Sequence, residues 1–150
     1  MALFDNLKTL SGKMTDSPAW STRPAVNNKV LIIEDEKDLS EALAETLSAN
    51  GFLVAQAANG QIGLDTAIAF KPAVILLDLM MPVMDGKNML QQLRLLPEFK
   101  NLPVIVLTNA GNVENLHETE LYYGVKDFLI KANVDMNEVV AKVKNLIHTS

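Results

Sequence analysis

AVILLD, residues 73–78, sets five apolar residues in succession and closes them with a carboxylate. A run without polar alternation has no solvent face, so it reads as a strand buried on both sides, as in a parallel sheet covered by helices. The form recurs on either side as VLIIED at 30–35 and VIVLT at 104–108, and in weaker versions as FLVAQA at 52–57 and KDFLIK at 126–131. The five runs, Val30 to Ile33, Phe52 to Ala57, Ala73 to Leu77, Val104 to Leu107 and Lys126 to Ile130, alternate with longer amphipathic stretches. That alternation predicts an α/β protein built from βαβ units.

The stretches between the runs carry helical spacing. In DLSEALAETLSANG, residues 38–51, Leu39, Ala42, Leu43, Thr46 and Leu47 share one side. Asp38 and Glu41 predict a capping-box start, and Asn50 with Gly51 predict the stop, because both tolerate the left-handed conformation that ends helices. DMNEVVAKVKNLI, residues 135–147, repeats the plan, with Asp135 and Glu138 at its head and Val139, Val140, Val143, Leu146 and Ile147 facing inward. Residues 1–28 differ: LFDNLKTL puts Leu3, Phe4, Leu7 and Leu10 on one helical face, but the chain after it is turn-rich and holds Pro18 and Pro24. We read an arm over 1–28, either frayed or a docking helix with Trp20 as a second anchor, followed by one domain over 29–148.

Hydrophobic residues are 49% of the 150-residue chain and charged residues 21%, which are globular values. The formal net charge is -5 and no Lys/Arg run occurs, so direct nucleic-acid binding is not expected. With no cysteine, disulfides, thiolate metal sites and thiol catalysis are excluded. His117 and His148 are too far apart in the chain to suggest a histidine metal cluster. Neither a signal peptide nor a membrane-length apolar run is present, and a cytoplasmic location is expected.

In open parallel sheets the ligand site lies beyond the carboxyl ends of the strands. Here the first run ends in Glu34 and Asp35, the third in Asp78, the fourth in Thr108 and the fifth in Lys131. Each has an ordinary structural role available to it alone, as a cap, a solvated charge or a locally satisfied hydroxyl. Together they point elsewhere. Three carboxylates in one cleft repel one another unless positive charge is added, and one lysine cannot neutralise three acids. An all-oxygen donor set suits a hard cation such as Mg²⁺, which keeps waters and binds phosphate oxygens. The set suggests a magnesium-dependent phosphoryl site with Asp78 as the nucleophile.

KVLIIEDE, VILLDLMMPVMDG, VIVLTNAG and FLIKAN resemble the four signature stretches of response-regulator receiver domains of two-component phosphorelays, over about residues 29–148. The resemblance implies a flavodoxin-like (βα)5 fold, a three-layer sandwich with parallel strand order 2-1-3-4-5. It also implies that Glu34 and Asp35 hold Mg²⁺, that Asp78 is the phosphoacceptor, and that Met80 gives its backbone carbonyl to the metal. Thr108 matches the switch hydroxyl and Lys131 the lysine that pairs with the phosphoryl group. Phe128 falls at the aromatic switch position, with an ordinary core role as its alternative. Pro82 and Gly86 fit the loop that shapes the site.

The implied donor is the phosphohistidine of a histidine kinase or a histidine phosphotransfer protein. The implied output is a conformational change in the segment between Asn109 and Phe128, where Val113, Leu116, Leu121, Tyr122 and Tyr123 either meet a downstream protein or form the buried face of a helix. A stand-alone signalling domain is expected, monomeric or dimerising on phosphorylation, and not a turnover enzyme. Two departures from the family pattern are present: Ala132 follows the lysine where proline, often cis, is usual, and Asn109 follows the threonine where a small residue is usual. Two rival readings are a non-phosphorylated binding module and an aspartyl-phosphate phosphatase. The phosphatase would want an acid/base aspartate where Met80 stands, and a flavin role would want a phosphate-binding loop that is missing after the first run.

Overall fold

The computed structural model describes residues 26–81, 83–109 and 123–149. Five parallel strands, β1 (Lys29–Ile33), β2 (Leu53–Ala57), β3 (Val74–Asp78), β4 (Val104–Thr108) and β5 (Asp127–Ile130), form one sheet in the order β2-β1-β3-β4-β5. This is the expected 2-1-3-4-5 order. Four α-helices lie among the described residues: α1 (Lys37–Ala49), α2 (Gly60–Phe70), α3 (Gly86–Arg94) and a last helix, Met136–Thr149. The expected arm up to residue 25, Pro82, Val113, Leu116, Leu121 and Tyr122 lie outside the described residues.

The uninterrupted apolar runs mark the interior strands. Every residue of β3 and β4 is buried, and β2, the weaker run, takes the edge with Leu53 and Gln56 exposed. Successive side chains point to opposite faces. Leu31, Ile33, Ile75, Leu77, Val104 and Val106 pack on one side with α2 and α3, through Leu64, Ala67, Met89, Leu90 and Leu93. Val30, Ile32, Val74, Leu76, Ile105 and Leu107 pack on the other with Leu43 and Leu47 of α1 and Val139, Val140, Val143 and Ile147 of the last helix. The sheet is thus the middle of three layers.

Register sets where the strand ends fall. Ile33 pairs with Leu77 and Thr108 with Ile130, so Glu34 comes level with Asp78, and Lys131 follows directly beyond Thr108's partner. Close packing holds the loop after β3 in place: the Gly86 N–H donates to the Leu79 carbonyl at 3.0 Å, and a Cβ at Gly86 would meet Leu79 Cα at 2.7 Å.

The capping box expected at Asp38 and Glu41 is not formed. α1 begins at Lys37 with Glu36 at its N-cap, and no side chain caps it. The reason is local, since the Glu36 N–H is bound by the Glu34 carboxylate at 2.9 Å, which turns the chain into the helix before Asp38 is reached. Asp38 then lies in the first turn, where its charge favours the helix dipole. The stop at Asn50 and Gly51 is as expected, with Gly51 at φ 93°. α2 and α3 are capped by Asn59 and Asp85, whose side chains accept from Ile62 N–H at 2.9 Å and Asn88 N–H at 2.8 Å.

Arg94, at the end of α3, ties three segments together. Its Nε donates to the Tyr123 carbonyl at 2.9 Å, and its Nη1 donates to the Phe99 and Leu102 carbonyls at 2.8 Å each. Burial lowers the guanidinium's pKa, so the charge is held at some cost that these carbonyls offset. Hydrogen bonds to charged groups contribute about 1.5–3 kcal/mol each before losses elsewhere. Replacing Arg94 with Met is therefore expected to lower stability by about 2–4 kcal/mol in urea unfolding, with Arg94→Lys restoring only part of it.

Candidate functional site

The β1–α1 turn, the end of β3 and the residue after β5 bring four charged side chains together at the carboxyl edge of the sheet. Glu34 and Asp78 are buried, and Lys131 reaches both: its Nζ lies 3.1 Å from Glu34 Oε2 and 3.1 Å from Asp78 Oδ2. Asp35 stands at the exposed mouth, and one carboxylate oxygen from each of Glu34, Asp35 and Asp78 lies within 4.8 Å of the others. Asp78 Oδ1 accepts the Met80 N–H at 2.9 Å, so Met80 joins the site through its backbone while its side chain is exposed.

Electrostatics follow from this crowding. Burial, together with the nearby charge of Asp78, pushes the Glu34 carboxyl up to about 7, against the lowering effect of the Glu36 N–H and Lys131. Burial alone would pull Lys131 down, but its hydrogen bonds to Glu34 and Asp78 and their charges outweigh it and raise its pKa. Lys131 therefore stays cationic. Its charge is still one against several.

The donor set fits a hard divalent cation. Glu34 Oε1 is buried and has no hydrogen-bond partner, a costly state for a carboxylate oxygen that metal coordination would relieve. With Asp35 and Asp78 alongside, Glu34 could hold Mg²⁺.

Thr108 is buried, and its hydroxyl donates to the Asn109 carbonyl at 3.3 Å, a long bond that leaves it available to another acceptor. The side chain of Asn109 is exposed. Lys131 and Ala132 sit in a 3-10 turn, Lys131–Asn133, joined by a trans peptide. Phe128 is half-buried against the α2–α3 side of the core, as is Tyr123. Two residues escaped the sequence reading. Glu36 lies 3.4 Å from Lys131 as a third acidic neighbour, signalled only by the EDE run. Ser40, buried on α1, accepts from Gln56 Nε2 at 2.8 Å and lines a cleft of about 330 Å³ with Glu34 and Asp35.

Residues 30–144 match the family model of the response regulator receiver domain. The chain is 34% identical to hybrid signal transduction histidine kinase D of Dictyostelium discoideum over 97% of its own length and 10% of that protein's. It is 36% identical to the transcriptional regulatory protein SrrA of Staphylococcus aureus over 81% of its length and 48% of SrrA. The solved receiver domain of the Francisella response regulator 1452 is similar at a TM-score of 0.73 and 31% identity, covering 82% of this chain and 98% of that one. The chain spans about half the length, or less, of these curated relatives.

A raised carboxyl pKa has a defined sign. Glu34's contribution to stability is full below its unfolded value of 4.5 and is lost as pH rises through about 7, because the native state binds its proton more tightly. Thermal unfolding of the wild-type chain and Glu34→Gln at pH 5 and pH 8 is expected to show a smaller pH dependence in the variant. MgCl₂ is expected to raise the wild-type Tm more at pH 8 than at pH 5, the shift reaching the equivalent of about 2.7 kcal/mol at one hundred times Kd.

Proposed function

The chain belongs to the response regulator receiver domains of two-component systems, and from that premise we propose that it accepts a phosphoryl group on the Asp78 carboxylate from a phosphohistidine donor. One observation carries the reading: a buried carboxylate with a lysine at 3.1 Å, beside an acidic pair with an unpartnered buried oxygen. This is the composition a phosphoryl-transfer site needs, a nucleophile with positive charge held where the transferring oxygens arrive.

In the proposed step an Asp78 oxygen attacks the phosphorus in line. The O–P bond forms as the N–P bond breaks, and the bonding pair returns to the donor's imidazole ring. Lys131 moves from the carboxylates to the phosphoryl oxygens, keeping a hydrogen bond throughout. Mg²⁺, held by Glu34, Asp35, Asp78 and the Met80 carbonyl, would supply the remaining positive charge. The Thr108 hydroxyl gives up its 3.3 Å bond to the Asn109 carbonyl and donates to the phosphoryl group instead. That exchange pulls on the chain beyond Asn109, and with Phe128 as its second element it signals to a downstream protein.

On this reading residues 29–148 are the receiver and residues 1–28 an arm. The donor is a histidine kinase or a histidine phosphotransfer protein. Turnover on outside phosphoesters is not expected, since the exposed Met80 stands where a phosphatase would keep its acid/base aspartate. No helix of the described residues is long and apolar enough to cross a membrane.

Incubation with Mg²⁺ and acetyl phosphate is expected to add one acid-stable, base-labile phosphoryl group, lost in Asp78→Asn and on chelation with EDTA, and reduced at least tenfold in rate by Lys131→Met, since losing one such charge costs upwards of about 1.4 kcal/mol. Absence of any label would favour a binding module. Labelling that survives in Asp78→Asn would overturn the site.

A further inference from the structure

The outer face of α2 departs from the pattern of the other helices. α1 carries Lys37, Asp38, Glu41 and Glu45, whereas α2, GQIGLDTAIAF, carries one charge, Asp65, in 11 residues. Gly60, Gly63, Leu64 and Ala67 face the sheet. The residues turned away from it include Ile62, Ile68 and Ala69, with Ile62 and Ile68 about half exposed. The outward positions thus mix the polar Gln61, Asp65 and Thr66 with bare apolar side chains, and the exposed isoleucines gain by being covered. Ile62, Asp65, Thr66, Ala69 and Phe70 line an open cleft of about 480 Å³ along this face.

The path of the chain names the cover. Asn27 Nδ2 donates to the carbonyl of Lys71, the residue that caps α2, at 2.9 Å, and Lys29 Nζ lies 5.6 Å from the centre of the Phe70 ring. The chain therefore enters the domain at Asn27, beside the foot of α2. Trp20 is six residues from Val26, a span of roughly 20 Å when extended. α2 is about 16 Å long. Trp20 can thus reach any point of the cleft without leaving the helix it starts beside. The flanking Pro18 and Pro24 favour an extended path. An indole also suits the lining, with apolar walls for the ring and the Asp65 carboxylate at the rim to accept its N–H. Lys8, Lys13 and Arg23 outnumber Asp5 and Asp16 in this segment, so its charge complements an acidic chain.

We propose that residues 1–25 cover the outer face of α2 in the same molecule, with Trp20 seated among Ile62, Thr66, Ala69 and Phe70. The proposal does not depend on phosphoryl transfer at Asp78. The contact buries apolar surface that the receiver fold otherwise leaves wet, at the side of the sheet away from α1.

Trp20 is the sole tryptophan, so the full-length chain reports on itself. Its emission is expected to be blue-shifted relative to the same chain in urea, protected from acrylamide, and independent of protein concentration. Ile62→Asp and Thr66→Lys, both at solvent-accessible positions, are expected to move the emission to that of the unfolded chain while far-ultraviolet circular dichroism keeps its native form. Three results would overturn the proposal: wild-type emission already matching the unfolded chain, a blue shift surviving in both folded variants, or a shift that grows with concentration and so reports a second copy. A blue shift in wild type that both variants abolish would stand for it even if one of them were destabilised, provided the other kept its fold.

Discussion

Two buried carboxylates, Glu34 and Asp78, share one ammonium. The contact between Lys131 and both, at 3.1 Å each, is the constraint from which the rest of this edge of the sheet takes its form. Carboxylates this close in a buried site favour ionisation together only if a cation stands between them. Lys131 does so from a strand two places along the sheet from β3. Its arrival depends on β5 pairing with β4 in register, and that pairing depends on the fully apolar interior of β4. The site is thus a consequence of sheet register rather than of any local motif.

The compensation is incomplete, and the proposed function rests on that incompleteness. Glu34 is pushed up to about 7 and leaves one oxygen without a partner, while Lys131 is drawn to three acidic residues at once. A fully satisfied network would be rigid and inert. On the proposed reading a second cation meets the unpartnered Glu34 oxygen, and phosphoryl oxygens take the place of the carboxylates at Lys131. The long hydroxyl bond at Thr108 is of the same kind, a contact weak enough to be exchanged. Asp78 is held by the Met80 N–H on its carboxylate and by the close approach of Gly86 to its backbone.

Much of this was legible in the chain itself. Runs such as AVILLD and VIVLT have no solvent face, so their role as interior parallel strands followed from composition alone, and the polar residue ending each run had to lie at one edge of the sheet. β2 read as weaker because Gln56 and its neighbours are those of an edge strand. Other features were not legible because they are tertiary. Arg94 looks like any surface arginine at a helix end until α3 is set beside the turn before β4. Ser40 is one serine among the polar positions of its helix, and nothing in the sequence shows that Gln56 of the neighbouring strand lies opposite it. The start of α1 was misplaced because a carboxylate two residues upstream, Glu34, took the N–H that fixes the first turn.

Phosphoryl transfer to an Asp78 oxygen would make an acyl phosphate, which has a chemical signature that a phosphoester lacks: borohydride reduces it to an alcohol. Treating the Mg²⁺- and phosphodonor-incubated chain with borohydride and sequencing its peptides by mass spectrometry should find homoserine at position 78 and nowhere else. Unaltered aspartate at that position in a chain that has taken up phosphate, or homoserine at Glu34's neighbour Asp35 instead, would contradict that transfer.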